Sequence, residues 1–336
     1  MNPLAPISTA IPITEQTQVG EARRFAASLS LELRLSETLA GKVGIVVSEL
    51  ATNLVKHTRG GELLFRQLQE EDRRGIEVLS IDRGPGFDFH RCIQDGYSSS
   101  GTSGTGLGSV QRLSSEFEVF SHASGTVSVS RIWNQGPSAR PNRIETGVIC
   151  IPLKGEEMCG DAWRINSSGY QHRFFLVDGL GHGPEAAHAA ETAIRVFQQF
   201  HDEKAAAVFQ NCHLAMRSTR GGAIGMAELD LDRNVVRFIG VGNIAGVITD
   251  GTTRRSLVSQ NGTVGAEMSR ITEFQYPWAS NSLLVLNSDG LTTRWKLDDY
   301  PGLQLRHPSI IAGVLYRDFR RERDDVTVMV VRESAK

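Results

Sequence analysis

With 336 residues, 40% of them hydrophobic and 22% charged, the chain has the composition of a globular protein of about two domains, which excludes disordered and fibrous classes. Its 36 Lys and Arg residues nearly balance its 38 Asp and Glu residues, so no strong basic surface supports binding to nucleic acid. The sequence has no membrane-length apolar run, signal-peptide layout or C-x-x-C motif, which predicts a cytoplasmic protein without a membrane partner, disulfide framework or zinc site.

The first half of the chain predicts a mixture of strands and helices. "TAIPIT" alternates like an edge strand, and "VGEARRFAASLSLEL" has helical spacing. A second helix begins near Ser36, a suitable N-cap, and ends near His57, just before the glycines of "TRGG". "ELLFRQLQ" and "GIEVLSID" predict a hairpin, "LGSVQRLSSEF" predicts a helix after a Gly/Ser-rich loop, and "EVFSHASGTVSVSRIW" predicts a last hairpin.

A linker follows between Asn134 and Arg143, where "NQGPSARPNR" has two prolines and no apolar residue larger than alanine. Beyond it, strands are predicted in "ETGVICIPL", "YQHRFFLVD", "GGAIGMAELDL", "VVRFIGVGNIAGVIT", "SLLVLNSDG" and "DDVTVMVVR". Helical spacing is confined to two blocks, "GPEAAHAAETAIRVFQQF" with its continuation to about Met216, and "HPSIIAGVLYRDF". This order predicts an α+β protein with domains at 1–133 and 146–336 and a linker at 134–145.

The second predicted helix carries a polar stripe on an otherwise apolar pattern. Glu49, Asn53 and His57 are four residues apart, so they project from one face of the helix. Taken alone, such a stripe is more often a solvated edge than a site. For His57, a structural histidine remains the simpler interpretation.

Two glycine-rich segments come after this helix. In "IDRGPGF", Asp82 ends a predicted strand, and Gly84 and Gly86 let the backbone turn close to a flat ligand. In "GTSGTGLGSVQR", free backbone N–H groups at the start of a helix predict a phosphate cradle. Each segment alone is weak evidence: D-x-G-x-G is often only a turn, and the second fits the dinucleotide fingerprint loosely. Because both segments follow the polar helix in the chain, the three together suggest a nucleotide-binding site.

The three segments together resemble the N, G1 and G2 boxes of the GHKL (Bergerat) ATPase superfamily, in its branch of anti-sigma and switch kinases of the RsbW/RsbT type. The resemblance implies an α/β sandwich that binds ATP and Mg²⁺. It implies that Asn53 binds the Mg²⁺, that Glu49 is the general base for a serine or threonine hydroxyl, and that Asp82 reads the adenine amine. The residues implied to shape the pocket and the phosphate loop are Gly84, Gly86, Gly104, Gly106 and Gly108.

Aspartates in the second half lie beside strongly apolar strands, in "MCGDAW", "FFLVDGLGHGPEAA", "LNSDGLT" and "RERDDVTVMVV". Any one of them could be a turn residue. Carboxylates buried near one another are unfavourable unless cations neutralise them, so the set as a whole predicts a metal site.

This set resembles the PPM family of metal-dependent serine/threonine phosphatases, in the SpoIIE branch that includes RsbU and RsbX. The resemblance implies a β-sandwich flanked by helices and two Mn²⁺ or Mg²⁺ ions. It implies that Asp178 bridges the ions, that the carbonyl of Gly179 also ligates, and that Asp161, Asp289 and Asp324 complete the protein ligands. Two-metal sites acidify a water for in-line attack on phosphorus.

Two further residues of this half are left open. Asp325 is either a neighbour of the site or a minor ligand, with Asp324 preferred as the ligand. His182 in "GLGHG" is either a general acid or a residue that orders the turn.

Three functions are compatible with these patterns. The first is a bifunctional regulator that phosphorylates and dephosphorylates serine or threonine of STAS-domain antagonists or stressosome scaffold proteins, with a sigma factor or a downstream phosphatase as a further candidate partner. The second is a phosphatase whose N-terminal domain only binds ATP or sequesters a partner. The third is a scaffold with two degenerate domains. Both sets of motif residues are complete, which favours the first.

Overall fold

The computed structural model describes residues 7–70, 73–88, 106–136, 142–268 and 271–334, and these form two compact units. One unit contains residues 8–142 and 305–317, and the other contains 143–304 and 318–336 together with the first seven residues. The N-terminal unit therefore includes a short segment from near the C-terminus. The boundaries at 1–133, 134–145 and 146–336 remain predictions.

The N-terminal unit is built on a five-stranded antiparallel sheet with the strand order β1-β2-β3-β5-β4. Its strands are β1 (Thr9–Ile13), β2 (Gly61–Gln69), β3 (Arg74–Asp82), β4 (Glu116–His122) and β5 (Gly125–Trp133). Its helices are α1 (Gln16–Glu32), α2 (Glu37–His57) and α3 (Gly106–Leu113). The two hairpins and all three helices predicted from the sequence are confirmed.

The sequence of helix α2 explains where the helix begins and why one of its faces is buried. Ser36 caps the helix, because its side chain accepts a hydrogen bond from the Leu39 N–H at 3.3 Å. By length and composition alone α2 could cross a membrane. Its apolar face, with Leu50 and Leu54 each 2% exposed, instead packs with Phe65 in the core of this unit. Burying one leucine side chain contributes roughly 1.5–3 kcal/mol.

The opposite face of this sheet carries a buried charged network. The Glu77 side chain, which is fully buried, accepts hydrogen bonds from Arg66 at 2.7 Å and from Arg131 at 2.7 Å. Ser309 donates to the same carboxylate at 2.7 Å and accepts from Arg131 at 2.9 Å. Burial alone would raise the pKa of Glu77, but the two arginine charges outweigh it and lower the pKa to about 2.

Ser309 belongs to helix α6 (Pro308–Phe319), most of which lies in the 305–317 segment of this unit. Its Gly313 lies against Leu79 and Val127, at a distance that leaves no room for a larger residue. The helix was predicted from the sequence, but nothing in the sequence indicated that it packs on the first sheet.

The C-terminal unit is a sandwich of two five-stranded antiparallel sheets with orders β15-β10-β9-β8-β7 and β12-β11-β16-β17-β6, plus a small pair β13-β14. The strands of the first sheet and the pair are β7 (Asp161–Ser168), β8 (Gln171–Gly179), β9 (Gly222–Asp230), β10 (Val235–Val241), β13 (Gly262–Thr263), β14 (Glu267–Met268) and β15 (Phe274–Pro277). Those of the second are β6 (Ile144–Ile151), β11 (Ala245–Thr249), β12 (Arg254–Leu257), β16 (Leu283–Asn287) and β17 (Val326–Glu333).

Strand β8 shows why this unit has continuous apolar runs. Phe174 and Leu176 point into the core between the two sheets, whereas Phe175 and Val177 face helices α4 (Pro184–Gln199) and α5 (Ala205–Met216). A strand covered on both faces has no polar side, so the alternation of polar and apolar residues disappears. The predicted strands and helices of this unit are present, but "VVRFIGVGNIAGVIT" forms two strands, β10 and β11, in different sheets, and the helical block to Met216 forms two helices, α4 and α5. Strands β7 and β12 to β15 were missed.

Candidate functional sites

The nucleotide-site residues of helix α2 lie beside the start of helix α3. Glu49 and Asn53 are four residues apart and half-buried, so they share one face of α2. Glu49 Oε2 lies 2.9 Å from the position that a Cβ on Gly106 would take. Any larger residue at position 106 would therefore displace this carboxylate.

Asp82 ends strand β3 with one carboxylate oxygen already bonded. Its Oδ1 accepts hydrogen bonds from the Gly84 N–H at 2.6 Å and the Thr126 N–H at 3.2 Å. Burial raises the pKa of Asp82, and these two backbone bonds oppose the rise. The nearby Arg317 charge also acts to lower the pKa of this carboxyl group.

The glycines around Asp82 are required by close contacts. At Gly84, a Cβ would lie 3.0 Å from Asp82 Oδ1. Gly86 has a φ of +74°, and a Cβ there would lie 2.6 Å from the His122 carbonyl oxygen. Of the predicted phosphate loop, Gly106 begins helix α3 and Gly108 is buried within it. Gly104 lies outside the described residues.

In the C-terminal unit, strand pairing brings two of the predicted ligands together. The register of β7 and β8 places Asp161 directly opposite Asp178. Asp161 is 2% exposed, and its Oδ2 accepts a hydrogen bond from Ser288 Oγ at 2.6 Å. Ser288 in turn accepts from the Thr327 N–H at 2.9 Å, which fixes the hydroxyl. Ser288 therefore orients Asp161.

The other two predicted ligands also lie together. Asp324 lies near enough to Asp289 for the two carboxyl groups to interact electrostatically. Asn243 Nδ2 donates to Asp289 Oδ2 at 2.6 Å. Burial and the nearby charge of Asp289 raise the pKa of Asp324.

The two pairs of carboxylates act on one another electrostatically. Burial raises the pKa of Asp178 to about 9, and the charges of Asp161, Asp289 and Asp324 add to the rise. Burial likewise raises the pKa of Asp161 to about 7, against the opposing hydrogen bond from Ser288. Ionising both Asp161 and Asp178 at neutral pH is therefore unfavourable unless a cation neutralises them.

The donor set suits divalent ions held partly through water. Among the described residues, no three Asp, Glu, His or Cys side chains stand close enough to enclose an ion by themselves. The charges of Asp161, Asp289 and Asp324 nevertheless all act on Asp178. Because Mg²⁺ and Mn²⁺ prefer oxygen ligands and keep several waters, such ions need few direct protein ligands. Asp161, Asp178, Asp289 and Asp324, with the Gly179 carbonyl, could hold such ions.

Asp325 instead holds the backbone at Leu153 and Gly160. Its two oxygens accept hydrogen bonds from the Leu153 N–H at 2.8 Å and the Gly160 N–H at 2.9 Å. A Cβ on Gly160 would lie 2.6 Å from Asp325 Oδ2, so a glycine is needed directly before Asp161. These bonds favour Asp324 over Asp325 as the ligand.

His182 has one ring nitrogen occupied, since Nδ1 lies 2.8 Å from Glu156 Oε1. Sequence reasoning did not identify Glu156, Asn243 or Ser288 as residues of the site. Of these three residues, only Ser288 could have been found from the sequence, because it directly precedes the predicted ligand Asp289.

The raised pKa values predict how pH affects the metal-free protein. Both carboxyl groups have a pKa of 3.8 in the unfolded chain, and folding raises it to about 7 for Asp161 and about 9 for Asp178. At pH values between the unfolded and folded pKa, the folded state therefore binds more protons than the unfolded state. Its free energy of unfolding should therefore fall as pH rises through this window. We expect a melting temperature in EDTA several degrees lower at about pH 8 than at about pH 5.5, with Mn²⁺ restoring most of the difference. A melting temperature that rises with pH in EDTA would contradict the carboxylate cluster.

Two family models match separate parts of the chain. A family model described as "Histidine kinase-like ATPase domain" matches residues 13–133, and one described as "Stage II sporulation protein E (SpoIIE)" matches residues 168–333. The chain is 29% identical to the serine/threonine-protein kinase RsbT of Bacillus subtilis (strain 168) over 114 residues, which cover 34% of this chain and 86% of RsbT.

Two further relatives match parts of the chain. The phosphoserine phosphatase RsbX of the same organism is 22% identical over 101 residues, covering 30% of this chain and 51%, about half, of RsbX. A structure from a study of the bacterial stressosome as a modular system is 26% identical, with a TM-score of 0.53, covering 57% of this chain and all of that one. A crystal structure of RsbX with magnesium is 17% identical with a TM-score of 0.50, covers 58% of this chain and 98% of that one, and shows likeness of fold alone.

Proposed function

We propose that this chain is a bifunctional serine/threonine switch, because it matches a histidine kinase-like ATPase family model over residues 13–133 and a SpoIIE family model over residues 168–333. In this proposal the first domain phosphorylates a protein partner from ATP, and the second hydrolyses phosphoserine or phosphothreonine. The observation that supports it most is that one chain contains both sets of reactive groups. The first is the Glu49 carboxylate beside the start of helix α3 at Gly106, and the second is the cluster of four aspartates.

For phosphotransfer, Glu49 would take the proton of the incoming serine or threonine hydroxyl. Asn53, one helical turn away, would offer its side-chain oxygen to the Mg²⁺ that accompanies ATP. The Asp82 carboxylate would accept a hydrogen bond from the adenine amine, and helix α3 would present its first N–H groups to the phosphates.

For dephosphorylation, Asp161, Asp178, Asp289 and Asp324 would hold the divalent ions. PPM phosphatases generally use Mg²⁺ or Mn²⁺. Bound ions supply an acidified water and neutralise phosphoryl charge. The residues around the aspartates keep them in place: Ser288 orients Asp161, Asn243 holds Asp289, and Asp325 fixes the Gly160 turn.

Relatives of both domains belong to stressosome and partner-switching systems, so we propose STAS-domain antagonists or stressosome scaffold proteins as the substrates. A sigma factor or a downstream phosphatase is a further candidate partner of the first domain. Joining both activities in one chain raises the effective concentration of each near the same partner. Because the reactions oppose each other, they must be regulated or directed to different partners to avoid idle hydrolysis of ATP. The cytoplasmic location remains a prediction.

Replacing Glu49 with Ala tests the kinase half. A positioned general base contributes about 10²- to 10⁴-fold, so phosphotransfer from ATP to a recovered STAS-domain protein should fall by that factor. Glu37→Ala is the matched control, because Glu37 is an exposed carboxylate in the first turn of the same helix. ATP affinity, measured by calorimetry, should change little in either variant.

If phosphotransfer by Glu49→Ala equals that of Glu37→Ala, Glu49 has no role in the chemistry. If the wild-type protein binds ATP but transfers no phosphate to any recovered partner, the first domain is a binding or sequestering module and only the phosphatase is active.

A further inference from the structure

A short turn before strand β9 places Arg220 in a fixed position. Thr219 Oγ1 donates to the Met216 carbonyl at 2.7 Å and accepts from the Gly221 N–H at 3.0 Å. Gly221 has a φ of +74°, and a Cβ there would lie 2.5 Å from the Val264 carbonyl oxygen. The backbone on both sides of Arg220 is therefore constrained.

The same turn is hydrogen-bonded to the loop 179–183, which follows strand β8 and begins at the ligand pair Asp178–Gly179. The Leu180 N–H donates to the Gly221 carbonyl at 3.0 Å. The Arg220 guanidinium lies over Gly181, since a Cβ on Gly181 would be 3.2 Å from Nη1. The absence of a side chain at position 181 lets the guanidinium lie beside this loop.

Arg220 has no partner of its own among the described residues, in either a hydrogen bond or an ion pair, and its side chain is exposed. His182 on the same loop differs, because Glu156 already holds its Nδ1. Four ionised aspartates and two divalent ions would sum to about zero charge, so a bound phosphomonoester dianion would give the site a net negative charge. Arg220 is a positive charge beside the loop that follows Asp178, and no described residue pairs with it.

We propose that Arg220 binds the phosphoryl oxygens of the phosphoserine or phosphothreonine substrate. The planar guanidinium matches two oxygens of a phosphate at once, which a lysine cannot do. It would also remain bonded to those oxygens as charge shifts during attack at phosphorus. This assignment rests on the proposed phosphatase function and adds a residue that the aspartate motifs do not contain.

The test compares Arg220→Gln with Arg217→Gln in the full-length protein. Arg217 is an exposed arginine three residues earlier with no partner among the described residues, so its replacement removes the same charge. A hydrogen bond to a charged group contributes about 1.5–3 kcal/mol, so we expect Arg220→Gln to raise KM for p-nitrophenyl phosphate about 10-fold or more, with Mn²⁺ present. Arg220→Lys should fall between wild type and Arg220→Gln, because it keeps only the charge.

A second readout does not depend on turnover. Calorimetric titration of inorganic phosphate into the Mg²⁺-loaded protein should give a Kd about 10-fold weaker for Arg220→Gln than for Arg217→Gln, at unchanged melting temperature. Equal phosphate Kd and KM values for the two variants would overturn the assignment of Arg220. A wild-type protein that binds phosphate but hydrolyses no phosphomonoester with Mn²⁺ would instead contradict the proposed phosphatase function.

Discussion

Asp178→Asn should abolish dephosphorylation and leave phosphotransfer from ATP unchanged. The substitution removes the carboxylate that is placed opposite Asp161 by the β7–β8 register and is surrounded by the other aspartates. Loss of this proposed metal ligand should reduce phosphatase activity by at least about 100-fold, since residues that only support a metal ligand already contribute about 10- to 100-fold. The assay is release of phosphate from a phosphoserine STAS-domain protein with Mn²⁺.

This loss can be separated from unfolding. Because burial and like charges raise the pKa of Asp178 to about 9, removing the carboxyl group should stabilise the metal-free protein at neutral pH. The variant should therefore melt at a higher temperature in EDTA while being inactive. Asp232→Asn, at an exposed turn position, is the control and should change neither property.

Asn53→Asp is the reciprocal change. It places a second carboxylate one turn from Glu49 and near the expected triphosphate, so phosphotransfer should be lost while dephosphorylation continues. If either Asp178→Asn or Asn53→Asp removed both activities from a folded protein, two independent sites could not be the correct description.

Glu77→Gln should have the largest effect on stability. The wild-type carboxylate is fully buried between Arg66 and Arg131, and the substitution leaves two buried arginines facing a neutral amide. Removing one partner of a buried ion pair costs about 3–5 kcal/mol. Because the pKa of Glu77 is lowered to about 2, this contribution is present at all pH values above the unfolded pKa and is lost only as pH falls towards 2.

The measurement is thermal unfolding with and without ATP. The transition that ATP raises should shift down in Glu77→Gln, because Glu77 lies in the sheet of the N-terminal unit. Glu70→Gln is the control, since the Glu70–Arg73 pair is partly exposed and such pairs contribute about 1 kcal/mol or less. A shift confined to the transition that Mn²⁺ raises would show that Glu77 stabilises the other unit.

Ser309→Ala should give a smaller shift in the same transition. Its hydroxyl bonds both Glu77 and Arg131, so removing it leaves a buried acceptor and a buried donor with one partner fewer, at about 1–3 kcal/mol. An unchanged ATP-sensitive transition in Ser309→Ala would mean that the 305–317 segment does not stabilise the N-terminal unit.

The parts of the fold that could be predicted have local causes. Ser36 identifies the start of helix α2, and the apolar runs of "FFLV" and "VTVMVV" identify strands buried on both faces. Strand β7 was missed because "DAWRINSS" has no apolar run or clean alternation, and it is a strand because it pairs with β8.

The residues of the candidate sites likewise divide into those with a local sequence pattern and those without one. The aspartates, Glu49 and the glycines carry motif spacing, so they could be named from the sequence. Asn243 and Glu156 lie far along the chain from the groups that they contact, and only the folded sheet brings them there. The same holds for Ser309, which reaches Glu77 across 232 residues of sequence. Contacts between residues that are far apart in the chain leave no local pattern in the sequence.

The most direct test of two opposed activities follows one labelled phosphate through one protein. The full-length chain is incubated with Mg²⁺, γ-labelled ATP and a STAS-domain protein recovered from its own cells, and residual ATP is then removed enzymatically before Mn²⁺ is added. We predict that label first appears on a serine or threonine of the STAS-domain protein and is then released as inorganic phosphate. Absence of label on the partner, or label that persists after Mn²⁺ is added, would contradict the bifunctional switch.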